Sequence, residues 1–135
     1  MTTLITLLTS GKNTWKYFFK LINSAEWDKI ILFANSFTLQ KLKLNDPKVK
    51  VFEIDFSDNI ESTKKMKDIL EKEVENKFDV AINLYSGFGN EHMQLLSAVM
   101  LAGCSINFAL LDNDSIIILP NDAIRDAERK SPTSF

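Results

Sequence analysis

The sequence predicts an α/β domain: a doubly wound, mostly parallel six-stranded sheet of order 3-2-1-4-5-6, closed by an antiparallel C-terminal hairpin strand. Three observations predict it. Short apolar runs alternate with segments of helical periodicity, the pattern of right-handed crossovers between parallel strands. The runs are nearly continuous, as in strands buried on both faces. The last two are separated only by Asp112-Asn113-Asp114, which suits a hairpin and is too short for a crossover.

Thr2–Thr9 is the first expected strand, because Leu4-Ile5-Thr6-Leu7-Leu8 stops at Ser10-Gly11. Thr14 is placed to cap the next helix, in which Trp15, Phe18, Phe19 and Ile22 recur at i, i+3, i+4 and i+7 while Lys16 and Lys20 mark the opposite face. Lys29–Asn35 encloses Ile30-Ile31-Leu32-Phe33-Ala34 and makes a second strand. A short helix from Ser36 presents Phe37, Leu39 and Leu42 before Asn45-Asp46-Pro47 breaks it. Val49–Asp55, with Val49, Val51, Phe52 and Ile54 among polar neighbours, is the third strand.

Asn59–Asn76 is the clearest helix, with Ile60, Thr63, Met66, Leu70 and Val74 on one face and Asp55 and Asp58 as candidate caps before it. Glu61/Lys65, Asp68/Lys72 and Glu73/Lys77 form acid-before-base pairs at i,i+4. Each such exposed pair contributes only about 0.3–0.5 kcal/mol, so this face is read as solvated surface. Phe78–Leu84 is the fourth strand, followed by the loop Ser86-Gly87-Phe88-Gly89-Asn90. The helix Glu91–Ala102 carries Met93, Leu95, Leu96, Val99, Met100 and Leu101 around much of its circumference and is expected to be covered on more than one side, with Gly103 ending it. Ser105–Leu111 and Ser115–Leu119 form the terminal hairpin. Residues 1–120 make one domain, and 121–135, with Pro132 and few apolar residues, a polar tail or a short helix.

Composition narrows the function. Sixteen Lys plus Arg against eighteen Asp plus Glu leave a net charge of −2, so there is no global positive field for DNA. A single Cys104, no basic leader followed by an apolar stretch at Met1–Leu8, and no apolar run near 20 residues point to a cytoplasmic chain without a membrane span. The chain lacks G-x-G-x-x-G after its first strand, G-x-x-x-x-G-K-[ST] and a G-x-S-x-G elbow, which disfavours dinucleotide, P-loop and α/β-hydrolase chemistry.

In an open doubly wound sheet, ligands settle beyond the carboxyl ends of the strands where the crossovers change direction, here between strands one and four. That point is flanked by Ser10-Gly11-Lys12-Asn13 and Ser86-Gly87-Phe88-Gly89-Asn90. Each loop feeds a helix whose first-turn N–H groups and dipole favour an anion. Gly11, Gly87 and Gly89 open the backbone to close approach, or simply serve turn geometry. Ser10, Asn13, Ser86 and Asn90 offer hydrogen bonds, and Lys12 offers a positive charge or is an ordinary surface lysine. The expected ligand is a small anion carrying a phosphate or carboxylate, with no separate cofactor. Ser10, Lys12 and His92 are the candidates for catalysis, although His92 fits a packing or capping role as well as proton transfer. No Cys or second His has ligand spacing around His92, so no metal is expected, and Cys104 reads as a small buried hydrophobe.

Asn83-Leu84-Tyr85-Ser86-Gly87-Phe88-Gly89-Asn90-Glu91-His92-Met93, followed by Leu95-Leu96-Ser97-Ala98, resembles the CARF domains of CRISPR-associated proteins, a Rossmann-like family. The Ser10-Gly11 turn and the terminal hairpin extend the resemblance loosely over about Thr2–Leu119. The resemblance implies a homodimer binding a cyclic oligoadenylate across both subunits, with Ser10, Gly11, Ser86, Gly87, Gly89 and Asn90 as contacts. Phe88 looks inserted relative to that pattern, and Glu91 stands where many relatives carry a lysine. A carboxylate near phosphates is repulsive unless paired or turned away, which argues against ring cleavage. Three functions follow: a nucleotide-sensing module, a small phosphodiesterase-type enzyme acting on a cyclic nucleotide, or a homodimeric interaction domain without a ligand.

Overall fold

The apolar runs pair into one sheet in a computed structural model that describes residues 2–9 and 12–130. The elements in chain order are β1 (Thr3–Leu8), α1 (Lys12–Asn23), β2 (Lys29–Ala34), α2 (Ser36–Lys41), β3 (Val49–Glu53) and α3 (Asn59–Glu73). Then come β4 (Val80–Asn83), α4 (Gly89–Leu101), β5 (Phe108–Asp112), β6 (Ser115–Leu119) and α5 (Asn121–Lys130). The sheet has the expected order, β3-β2-β1-β4-β5-β6. β1 to β5 run parallel, and β6 returns antiparallel beside β5. Asn113 takes φ 58° in the connecting turn, a left-handed conformation that asparagine tolerates.

Alternation along β1 divides the core into two layers. Leu4 and Leu8 pack with Phe18, Leu21, Ile22 and Trp27 on one face. Ile5 and Leu7 pack with Met66, Leu70, Leu95 and Val99 on the other. β1 is buried along its whole length, so its apolar run shows no period of two. No helix of the described residues is long and apolar enough to cross a membrane.

Several local expectations are corrected. α1 opens at Lys12, so Thr14 lies inside its first turn and is not the cap. In α2 the buried residue is Thr38, while Phe37 lies 58% exposed beneath the Lys41 ammonium. The helix phase is set by Asn35, whose side chain accepts from Thr38 N–H and donates to Thr9 O. Asp58 caps α3 through Ile60 and Glu61 N–H, but Asp55 folds back onto Ser57. Ile60 is exposed, and Ser62 takes the buried position instead. α4 buries Gln94, Leu95, Ala98 and Val99 and leaves Met93, Met100 and Leu101 more than 60% exposed, so within this chain it is covered on one side. Gly103, at φ 79°, ends α4 in a Schellman turn, Cys104 N–H reaching Val99 O and Gly103 N–H reaching Met100 O.

Residues 121–130 are helical, and their first turn serves the sheet. Ile118, on the edge strand, gives its N–H to Asp122 Oδ2 at 2.6 Å. A second polar tie joins the two helices of one layer. Gln94 of α4 receives the Ser62 hydroxyl and donates to Phe56 O at 3.2 Å and Asn59 Oδ1 at 2.6 Å.

The charges on α3 also differ from expectation. Glu73 leaves its own helix face and bridges Lys29 of β2 at 3.0 Å and Lys50 of β3 at 2.9 Å. These hydrogen bonds from Lys50 and Lys29 hold its carboxyl below the ordinary value of 4.5. Its folded pKa is therefore depressed, and its contribution is complete above the unfolded value and lost as pH falls through the folded one. Glu73→Gln is expected to cost about 1 kcal/mol at pH 7 in urea unfolding, with the gap from wild type closing as pH drops below that range. A gap unchanged at pH 3 would contradict the ion-pair account.

Candidate functional site

β1 and β4 lie side by side at the centre of the sheet, with Thr6 opposite Asn83. α1 leaves β1 toward β2, and α4 leaves β4 toward β5, so the two following loops open over the same carboxyl edge. Thr9 joins them. Its N–H donates to Ser86 Oγ at 3.0 Å, its hydroxyl donates to Glu91 Oε1 at 3.1 Å, and its carbonyl accepts from Asn35 Nδ2 at 3.2 Å. Glu91 Oε1 also accepts from Phe88 N–H at 2.9 Å, the carboxylate half of a capping box. The Phe88 ring has no acceptor to supply the other half.

This arrangement changes the electrostatics read from sequence. The Glu91 carboxylate is paired with N–H and O–H donors and occupies the amino-terminal end of α4, where negative charge is favoured. An anion there would have to displace it. The amino terminus of α1, with Lys12 and Asn13 in its first turn, is the other dipole end at this edge. Ser10 and Gly11 lie outside the described residues.

Ser86 is buried, with its hydroxyl oxygen occupied by Thr9 N–H. Gly87 has φ 94°, and an added Cβ would stand 2.9 Å from Glu91 Oε1. Gly89 begins α4 with open space where its Cβ would be, and Asn90 is exposed. His92 Nε2 lies 2.7 Å from Ser86 O, so this nitrogen carries the proton and donates to the carbonyl. The ring is thereby a strut for the turn. Burial pushes the Cys104 thiol up, consistent with a packing residue.

Beside this junction is a cavity of about 540 Å³, bounded by Asn35 and Ser36, the ends of β2 and β3, and Phe88, Asn90 and Glu91 of the fourth loop. Glu53 and Asp55 line it together with Glu91. Hydrogen bonds from the Ser57 hydroxyl and N–H hold the Asp55 carboxyl below its usual range. Asp55, read in the sequence only as a candidate helix cap, thus shares a cavity with the α4 turn. Among the described residues no group of three or more His, Cys, Asp and Glu is arranged to hold a metal ion.

Thr9, Asn35 and Glu91 organise the edge and were not among the sequence candidates. Glu91 had a legible signal, an acid three residues into a helix after a small-residue turn. Thr9 had none, since its three bonds depend on where β2 and β4 sit. No protein-family model matches the chain, and no curated protein matches it.

Proposed function

We propose that this chain is a nucleotide-sensing module whose ligand lies over the carboxyl edge of β1 and β4 and is shared by two copies of the chain. The pairing of β1 with β4 at the reversal of the crossovers carries the reading, because it makes the one crevice that an open doubly wound sheet leaves for a ligand. Charge gives the ligand a polarity. With Glu91 over the α4 terminus and Glu53 and Asp55 nearby, phosphate is directed to the α1 terminus and hydrogen-bond donors such as ribose hydroxyls to the carboxylates.

The CARF resemblance supplies a cyclic oligoadenylate as the candidate ligand. The outward face of α4, with Met93, Met100 and Leu101 exposed, supports a second copy as partner, since apolar area of this kind gains by being covered. That same face favours the second reading, a homodimeric interaction domain without a ligand. No reaction is assigned, because the one histidine holds the turn through Ser86 O.

Titration with cyclic oligoadenylates and mononucleotides, followed by thermal stability and by sedimentation, tests the proposal. A ligand at about 100 times its Kd adds roughly 2.7 kcal/mol. Ser86 is a poor site for a blocking variant because it is buried. Gly89→Asp is better: the position is open, and an acid in the first turn of a helix is tolerated or mildly stabilising. We expect Gly89→Asp to keep its unliganded melting temperature and to bind nucleotide at least about tenfold more weakly, equivalent to 1.4 kcal/mol. Undiminished binding would reject the loop assignment, and no stabilisation of wild type by any nucleotide would leave the interaction domain.

A further inference from the structure

We infer that Tyr85 is the stacking platform for the nucleotide base, held ready by Tyr17 behind it; this rests on the nucleotide reading above and extends it to a residue outside the loops already considered. The two rings stack with centroids 3.6 Å apart and planes 21° from parallel. Tyr17, from the second turn of α1, is fixed at its far end. Its hydroxyl oxygen accepts Leu111 N–H at 3.1 Å, and Asn83 Nδ2 lies 3.5 Å away. Burial raises the Tyr17 pKa, which keeps the hydroxyl protonated.

Asn83 fixes Tyr85 from the other side. It is 3% exposed, donates to Ala109 O at 2.8 Å and accepts Tyr85 N–H at 3.2 Å. One buried amide thus sets the backbone of Tyr85 and helps to set the ring beneath it. Tyr85 is nevertheless 49% exposed. Tyr17 covers one face of its ring, so the exposure falls on the opposite face and the edge.

The position matters as much as the exposure. Tyr85 directly precedes Ser86, which is bonded to Thr9 of the first loop, so its backbone stands at the edge of the proposed crevice. A flat apolar surface fixed before binding avoids the ordering cost that a mobile ring would incur. Every nucleobase presents a π face, and a purine presents the larger one. The ligand part assigned to Tyr85 is therefore a purine base, with its sugar over the Ser86–Gly87 turn beside Glu91 and its phosphate toward the α1 terminus.

The test compares Tyr85→Phe, Tyr85→Leu and Tyr85→Ala in titrations with cyclic tetra-adenylate, AMP and ribose 5-phosphate. Tyr85→Phe is expected to bind the adenine ligands within about twofold of wild type, and Tyr85→Leu and Tyr85→Ala at least about tenfold more weakly. Affinity for ribose 5-phosphate, which has no base, stays the same in all three. Tyr85→Leu keeps apolar cover over Tyr17, so its unliganded melting temperature separates lost stacking from lost folding. Adenine ligands bound equally well by wild type and Tyr85→Leu would overturn the platform and leave the nucleotide reading standing. Failure of wild type to bind either adenine ligand would overturn both.

Discussion

Gly87→Ala is expected to lower the unfolding free energy by about 3 kcal/mol, whereas Gly89→Ala, two residues away, is expected to leave it unchanged or slightly raised. Gly87 has φ 94°, beyond the left-handed basin that other residues occupy near 57°. Its new methyl group would also lie 2.9 Å from Glu91 Oε1, 3.3 Å from Thr9 Oγ1 and 3.4 Å from His92 Nε2. A carboxylate at a side-chain end can usually retreat. Here retreat gives up Phe88 N–H, which caps α4, and the Thr9 hydroxyl, which fastens α4 to the end of β1. At Gly89 nothing stands within 4 Å and φ is not positive, so alanine brings only its better helix propensity. Equal melting temperatures for the two variants, measured with urea midpoints, would show that the turn is not held as described.

Gln94→Ala is expected to cost about 2–4 kcal/mol, or roughly 8–15 °C in melting temperature for a chain of this size. Gln94 is 5% exposed and meets Ser62, Asn59 and Phe56 O at once. Removing it leaves a cavity, the Phe56 carbonyl without its donor, and the Ser62 hydroxyl with only Asn59 O at 3.3 Å, and an unpaired buried group costs about 1–3 kcal/mol. The pair Ser62→Ala with Gln94→Met should recover part of the loss, because it refills the space with apolar groups and removes the Ser62 hydroxyl, while the Phe56 carbonyl stays without its donor. A Gln94→Ala loss below about 1 kcal/mol, or no recovery in the pair, would mean that the α3–α4 contact is held by its apolar residues alone.

These two residues show what sequence reasoning reaches. The sheet order was legible because Leu4–Leu8 and Ile30–Ala34 are unbroken apolar runs, and because Asp112–Asp114 leaves no room for another crossover. The reversal between β1 and β4 followed from that order. Gln94 gave no such signal: a glutamine among apolar residues reads as exposed until Asn59 and Ser62 are brought against it. Periodicity likewise assigned Ile60 and Phe37 to buried faces, yet both are exposed, because the Asp58 and Asn35 caps set where each helix begins and hence which residues face inward. The place of the Ser86–Asn90 loop beside the end of β1 was legible, but the charge there was not. Glu91 looked like an obstacle to phosphate, and only the contact with Thr9 shows that its charge is already satisfied.

The bond between Asp122 and Ile118 has a consequence for many chains at once. Ser-Ile-Ile-Ile-Leu on a sheet margin is the kind of segment that recruits a like strand from a neighbouring molecule, starting the ladder by which soluble proteins pass into fibrils. A carboxylate seated on one of its outward donors removes a rung from that ladder and leaves negative charge where an incoming strand would have to lie.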